Sequence, residues 1–234
     1  MVRNPFGIRD GKVILVSELD RETERGAKCN CSCPYCEADF NAKMGDIRVY
    51  HFAHHCSADC GKAVQEGLRR LATEVLESER QLGLPEFRTK LGNSYICIPS
   101  EISQIAAIEV NVHIEGSDLK SDVLVELTDG KKFHIVFITA KRGSRKKMET
   151  FKATKASVLA IELYRVFKED MVRQNMVSFL TAGDAFRCWL TEPNEFLNAY
   201  AEEQLANHNS RVEHVADLLR ECKRINLPQV TGNY

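Results

Sequence analysis

The sequence lacks an apolar run near the roughly 20 residues that a membrane-spanning helix requires. It also lacks an excess of either charge. Thirty-two Lys and Arg face 33 Asp and Glu, giving a formal net charge of -1. This balance argues against bulk electrostatic attraction to nucleic acid and says nothing of local patches. Glycine and proline are sparse, at 13 and 6 of 234 residues, so collagen-like and low-complexity readings fall away. Residues 1–10 carry charges but no apolar stretch of signal-peptide length. No internal repeat is visible. The chain reads as a soluble, cytoplasmic α/β protein, long enough to bury a core.

Cysteine is not scarce, and its distribution is uneven. Six of nine cysteines lie between residues 29 and 60. Cys97, Cys188 and Cys222 are scattered and read as small core hydrophobes. An odd total without a secretory signal argues against a disulfide framework. His51, His54 and His55 share the cysteine-rich window. That density of soft and borderline ligands is a metal-site signature. Cys33-Pro34-Tyr35-Cys36 is a Cys-x2-Cys knuckle, which lets two thiolates grip one ion from a tight turn. Zinc is the default ion for mixed sulfur and imidazole ligands. Cys33 and Cys36 are the first pair. The second pair comes from His51, His54, Cys56 and Cys60, and spacing does not choose among them. Cys29 and Cys31 are surplus to one site and leave room for a second ion. A fully occupied tetrahedral site has no position for water, so this zinc folds its module rather than performing chemistry.

Residues 11–20 read as a strand followed by a turn. Residues 39–50 read as a β-hairpin around Lys43-Met44-Gly45-Asp46. Val64, Leu68, Leu71, Val75 and Leu76 recur at helical spacing over residues 62–81. The period then changes to that of strands, over residues 87–88, 95–98, 105–114, 121–127 and 132–139. Asp129-Gly130 supplies a turn between the last two. Residues 143–157 are polar and basic, then helical. Val158 to Leu163 fits a buried strand. Beyond Tyr164 the chain reads mostly as helix, with amphipathic segments at 194–206 and 211–224. The expected organisation is a zinc-binding module with its N-terminal strand at 1–61, an α/β core at 62–165 and a helical region at 166–234.

Metal-dependent nucleases hold Mg²⁺ or Mn²⁺ with a few carboxylates and add a lysine that orients the nucleophile. A frequent arrangement places one Asp at the start of a hairpin strand and an acid-x-Lys triplet on the next. Asp122 opens such a strand. The triplet position on the following strand holds Phe137-Ile138-Thr139, which has neither acid nor lysine. Strand alternation puts Glu126 on the Asp122 face and Lys141 on the Thr139 face. Residues 141–155 form a basic run: Lys141, Arg142, Arg145, Lys146, Lys147, Lys152 and Lys155 against a lone acid, Glu149. Such a run neutralises phosphates without reading sequence.

Cys33-Pro34-x-Cys36, then Tyr50-His51-Phe52-Ala53-His54, then a Glu66-bearing helix leading to Asp122 in a strand hairpin, resembles the CoiA-like competence protein family. The likeness covers about residues 10–165. It implies an N-terminal zinc-finger-like module ahead of a restriction-endonuclease-like, PD-(D/E)XK-type mixed sheet flanked by helices. It implies processing of DNA, with Asp122 as the metal-binding acid and Glu66 as the helix acid. The family's acid-x-Gln/Lys triplet falls on Phe137-x-Thr139. Either displaced residues such as Glu126 and Lys141 complete the site, or the fold is kept for binding nucleic acid. A third reading makes Trp189 and the C-terminal helices a surface for a protein partner or self-association.

Overall fold

Asp10 and Gly11 both adopt positive φ, at 52° and 76°. That backbone matches the right-handed twist of paired strands. It closes β1 (Phe6–Arg9) and β2 (Lys12–Leu15) into an antiparallel hairpin with Phe6 opposite Leu15. The computed structural model describes residues 3–55, 60–91 and 94–207.

The cysteine-rich segment folds around its own small core. β3 (Phe40–Lys43) and β4 (His51–His54) form the expected hairpin, with Phe40 opposite His54 and Lys43 opposite His51. Cys29, Cys31, Cys33, Phe40, Met44 and Phe52 are buried together there. The Phe40 and Phe52 rings stack at 5.5 Å. Backbone bonds tie this module to the first hairpin, from Ile8 to Ser32 in both directions and from Phe52 N–H to Asn4.

Helix α1 (Ala63–Glu79) follows. Gly67, Leu68, Leu71, Ala72, Val75 and Leu76 are buried at intervals of three and four, which is one helical face. Gly67 matters for distance rather than for backbone freedom. A Cβ there would lie 2.5 Å from Phe6 Cβ, so only glycine lets α1 approach β1 this closely.

The main sheet has six strands in the order β12-β11-β10-β9-β8-β5. β5 (Gln81–Leu84), β8 (Glu101–Val110), β9 (Val123–Leu127) and β10 (Lys132–Phe137) pair antiparallel with one another in that order. A separate hairpin, β6 (Phe87–Leu91) with β7 (Ser94–Ile98), is inserted between β5 and β8. Helix α2 (Ser144–Lys152) then carries the chain to β11 (Val158–Ile161), which pairs parallel to β10. Every residue of β11 is buried, the mark of a strand covered on both faces. Phe151 and Met148 of α2 pack on Val136, Ile138, Val158 and Ala160. The fold is therefore mixed α/β, as the periodicity implied.

The region after Tyr164 departs from the helical expectation. α3 (Arg173–Thr181) is a helix, but β12 (Arg187–Trp189) is an edge strand antiparallel to β11. Trp189 accordingly lies in the sheet and not on a docking helix. Its indole N–H donates to Pro85 O at 3.3 Å, and its ring meets Phe133 edge-on. Arg187 stitches the edge down by donating to Gly83 O and Phe179 O. Residues 81–84, which follow α1 closely in the chain, form β5. The chain divides into two compact units, Met1–Pro193 and Asn194–Tyr234. In the second unit residues 194–207 are helical; the expected helix at 211–224 lies outside the described residues. Among the described residues no helix is long and apolar enough to cross a membrane.

Candidate functional site

The Cys-Pro-x-Cys turn is held by its own backbone. Cys33 N–H donates to Ala38 O, and Glu37 N–H donates back to Cys33 O. Tyr35 N–H points at Cys33 Sγ from 3.5 Å. β4 delivers His54 to this turn, and Cys60 arrives just before α1 begins. The ligand atoms of Cys33, Cys36, His54 and Cys60 all lie within 4.8 Å of one another. Cys33 Sγ and Cys60 Sγ are 3.6 Å apart, and Cys36 Sγ is 3.2 Å from His54 Nε2. Metal–sulfur bonds of about 2.3 Å give tetrahedral sulfur–sulfur edges of about 3.8 Å. The four groups therefore fit a metal ion such as zinc.

His51 is not part of this group. It is three residues from His54 along β4, so alternation turns it to the other face. Its Nδ1 instead faces Val49 O at 3.0 Å. Cys56 lies outside the described residues. Cys29 and Cys31 turn inward, their thiols donating to Phe40 O and Cys29 O. Among the described residues there is no second group of three or more potential ligands, so the surplus pair is core. Burial pushes the Cys33 thiol up to about 12, and burial beside Cys29 does the same for Cys31. Burial also acts on Cys60, but N–H donation from Lys62 and the thiols of Cys33 and Cys36 outweigh it and hold Cys60 below the usual thiol value.

Asp122 stands at the mouth of β9, as the hairpin reading placed it. Its surroundings are cationic. Arg69 Nε from α1 is 3.2 Å from Oδ1, and Lys147 Nζ from α2 is 3.6 Å from Oδ2. Oδ2 also accepts the Phe137 N–H at 2.6 Å. Lys147 in turn donates to Phe137 O at 2.9 Å. The backbone of the expected triplet position is thus clamped by an Asp and a Lys, while its phenylalanine ring is fully buried. Burial lowers the Lys147 ammonium below its ordinary value, Asp122 pulls it back up, and Arg69 adds repulsion.

The other catalytic candidates are not assembled around Asp122. Glu66 pairs with Arg70 at 3.2 Å and with Arg69 at 3.4 Å, so a guanidinium separates it from Asp122. Glu126 pairs with Lys132 at 3.0 Å. It lies four residues along the strand, about 13 Å from Asp122 at 3.3 Å per residue. Lys141 is exposed in the loop before α2. Mg²⁺ and Mn²⁺ require an octahedron of oxygens, largely carboxylates and water. Here both oxygens of the single carboxylate are engaged by cations and a backbone N–H, so the donor set does not fit a divalent ion.

Two residues that pattern reading passed over or misassigned define this site. Arg69 was not singled out. Lys147 was grouped with the exposed basic run, yet it turns inward. The signal was present: Phe151 lies one helical turn further on the same face of α2, and it is the buried anchor of that helix. The remaining charges of the run lie on the surface. Lys141, Arg142, Arg145, Lys146, Lys152 and Lys155 are exposed, with Lys152 paired to Glu149. Gly143, at φ 80°, caps α2, whose first turn holds no acid. The N-terminal end of a helix carries positive potential, which adds to that of Arg145 and Lys146. Comparison with known protein families, curated proteins and solved structures finds no match to this chain.

Proposed function

We propose that this protein binds nucleic acid on the face of α2, using a CoiA-like, restriction-endonuclease-like core that has exchanged metal-dependent hydrolysis for phosphate binding. In this reading zinc occupies the Cys33, Cys36, His54, Cys60 site and folds the N-terminal module. The order β8, β9, β10, α2, β11, which follows α1 after β5 and the β6–β7 hairpin, has three antiparallel strands and then a strand parallel to β10, and it supports the nuclease-like ancestry. The observation that carries the functional conclusion is the pair of cations on Asp122. Where a nuclease would hold a divalent ion between carboxylates, Arg69 and Lys147 supply the positive charge themselves. A phosphate approaching past Arg145 and Lys146 then meets cations and helix N–H groups rather than a metal-activated water.

A second reading, a metal-dependent deoxyribonuclease, has one observation in its favour. Glu66 and Asp122 share Arg69, so a swing of that side chain would leave two carboxylates facing one gap. A single assay separates the two. Single- and double-stranded DNA are incubated with the protein in Mg²⁺, Mn²⁺ or EDTA, beside Asp122→Ala. The binding reading expects no cleavage in any condition with salt-sensitive binding intact. Metal-dependent cleavage lost in Asp122→Ala would establish the nuclease instead.

A further inference from the structure

Phe186 breaks two local rules at once. It is a bulky residue at φ 61°, in the left-handed region that such side chains avoid. Its ring is also 51% exposed, although it immediately precedes the sheet strand β12. Burial therefore does little to offset the strained backbone. Glu162 N–H holds the residue in place by donating to Phe186 O at 3.0 Å. A strained residue kept with its ring in solvent points to a role for that ring outside the fold. The ring has company. Arg165 ends a short 3-10 turn, Leu163–Arg165, and is itself exposed. Its guanidinium carbon lies 5.1 Å from the centre of the Phe186 ring and 5.1 Å from that of Tyr164. Arg165 Nε donates to Glu162 Oε2 at 3.0 Å, and the Tyr164 hydroxyl donates to the same oxygen at 2.9 Å. Held by Nε, a planar guanidinium still presents its terminal nitrogens to a phosphate.

This aromatic and cationic platform is joined to the α2 face. Tyr164 packs on the same apolar cluster as Met148 and Phe151 of α2. Successive carbonyls at the end of β10 are shared between the two sites. Lys147 Nζ donates to Phe137 O, and Tyr164 N–H donates to Ile138 O at 3.2 Å. Phe186 leads into β12, two strands from β10, which places its backbone about 10 Å from the end of β10. Burial and then Glu162 push the Cys188 thiol of β12 up while Lys152 of α2 draws it down, so α2 reaches this side of the sheet as well. The Asp122 cluster, α2 and the platform thus meet at the carboxyl ends of the parallel pair β10 and β11. Ligands of α/β sheets gather at such ends. An open aromatic ring with a guanidinium against it suits an unpaired base and its phosphate. A paired base has both faces covered by its own stack. An apolar protein side chain also suits the ring, but the neighbouring Arg145 and Lys146 favour a polyanion.

We infer that Phe186, with Arg165 against it, is a stacking platform for one unpaired base of a single strand whose backbone lies along α2. The inference rests on the nucleic-acid-binding reading above and narrows its ligand to strands with unpaired bases. Its test uses the full chain and fluorescence anisotropy with two labelled probes, a single-stranded DNA oligonucleotide and the same strand made abasic. Glycine adopts the φ of residue 186 without strain, so Phe186→Gly removes the ring without threatening the fold. Phe186→Trp keeps an aromatic face, and Arg145→Ala/Lys146→Ala weakens the α2 face. Base stacking predicts about tenfold tighter binding of the base-bearing strand than of the abasic one. Phe186→Gly should abolish that preference and leave abasic binding in place, while Phe186→Trp retains it. The α2 variant should weaken both strands alike. Equal affinity of the wild type for the two strands, or a preference that survives Phe186→Gly, would overturn the platform and leave strand binding standing. No binding of either strand by the wild type would overturn both the platform and the reading it rests on, and would leave the ring to a protein partner.

Discussion

Arg69 Nε lies 3.2 Å from Asp122 Oδ1, joining the middle of α1 to the residue just before β9. With Lys147 on the other oxygen, it converts the one acid at the strand mouth into the counterion of two bases. The same carboxylate takes the Phe137 N–H, so the cluster also fixes the end of β10.

Asp122→Ala should cost about 2 kcal/mol, because it strands two partly buried cations and a backbone N–H. Asp122→Asn should cost less, since its side-chain oxygen can still accept that N–H. Urea unfolding of the three proteins measures the ranking, and an Ala variant as stable as wild type would show that the cluster carries no stability.

Lys147 gives this cluster a pH dependence. Burial, helped by Arg69 and opposed by Asp122, places its folded value below the usual one near 10.5. The unfolded chain then binds this proton more tightly than the folded one. Its contribution to stability therefore rises with pH between the folded value and 10.5. Relative to Lys147→Met, the wild type should gain stability as pH is raised toward 10 from neutrality. A stability difference flat over that window would contradict the buried placement of the ammonium.

At the metal centre, Cys33→Ser, Cys60→Ser and His54→Ala should each lose the ion, while His51→Ala keeps it. Elemental analysis should find one ion per chain in the wild type. Thiolates and a neutral imidazole are required for binding, and burial resists ionisation of Cys33, so affinity falls and metal is released as pH drops. Retention of the ion by His54→Ala together with loss in His51→Ala would reverse the ligand assignment.

Gly67→Ala tests how α1 is seated. Helix propensity alone favours alanine by about 1 kcal/mol. The added methyl meets Phe6 Cβ at 2.5 Å, and overpacking of this kind costs about 1–3 kcal/mol. A net loss of up to about 2 kcal/mol is expected in thermal or urea unfolding. A gain would mean that α1 and β1 are not in close contact.

What pattern alone could reach divides along physical lines. The Cys33–Cys36 knuckle, the hairpin that brings His54 back to it, α1 and the buried run of β11 all rest on local periodicity or spacing, and each was legible. β5 and β12 were not. Both are edge strands of three or four residues, too short for a period, and they exist because β8 and β11 offer them a partner. The choice of Cys60 over His51 needed the fold, since α1's start sets where Cys60 arrives. Asp122 was legible from its place before a strand. Arg69 was not, because a surface arginine on a helix has the same sequence signature as one that reaches across to a distant strand.

The central claim is that a phosphate-bearing strand is held by the α2 face. Its most direct test is a salt titration of single-stranded DNA binding by wild type and Arg145→Ala/Lys146→Ala. Each phosphate contact on a single strand adds about 0.7 to the slope of log K against log salt. The account predicts salt-dependent binding by the wild type and a slope shallower by about 1.4 in the double variant. Identical slopes and affinities for the two proteins, or no binding by the wild type, would contradict it.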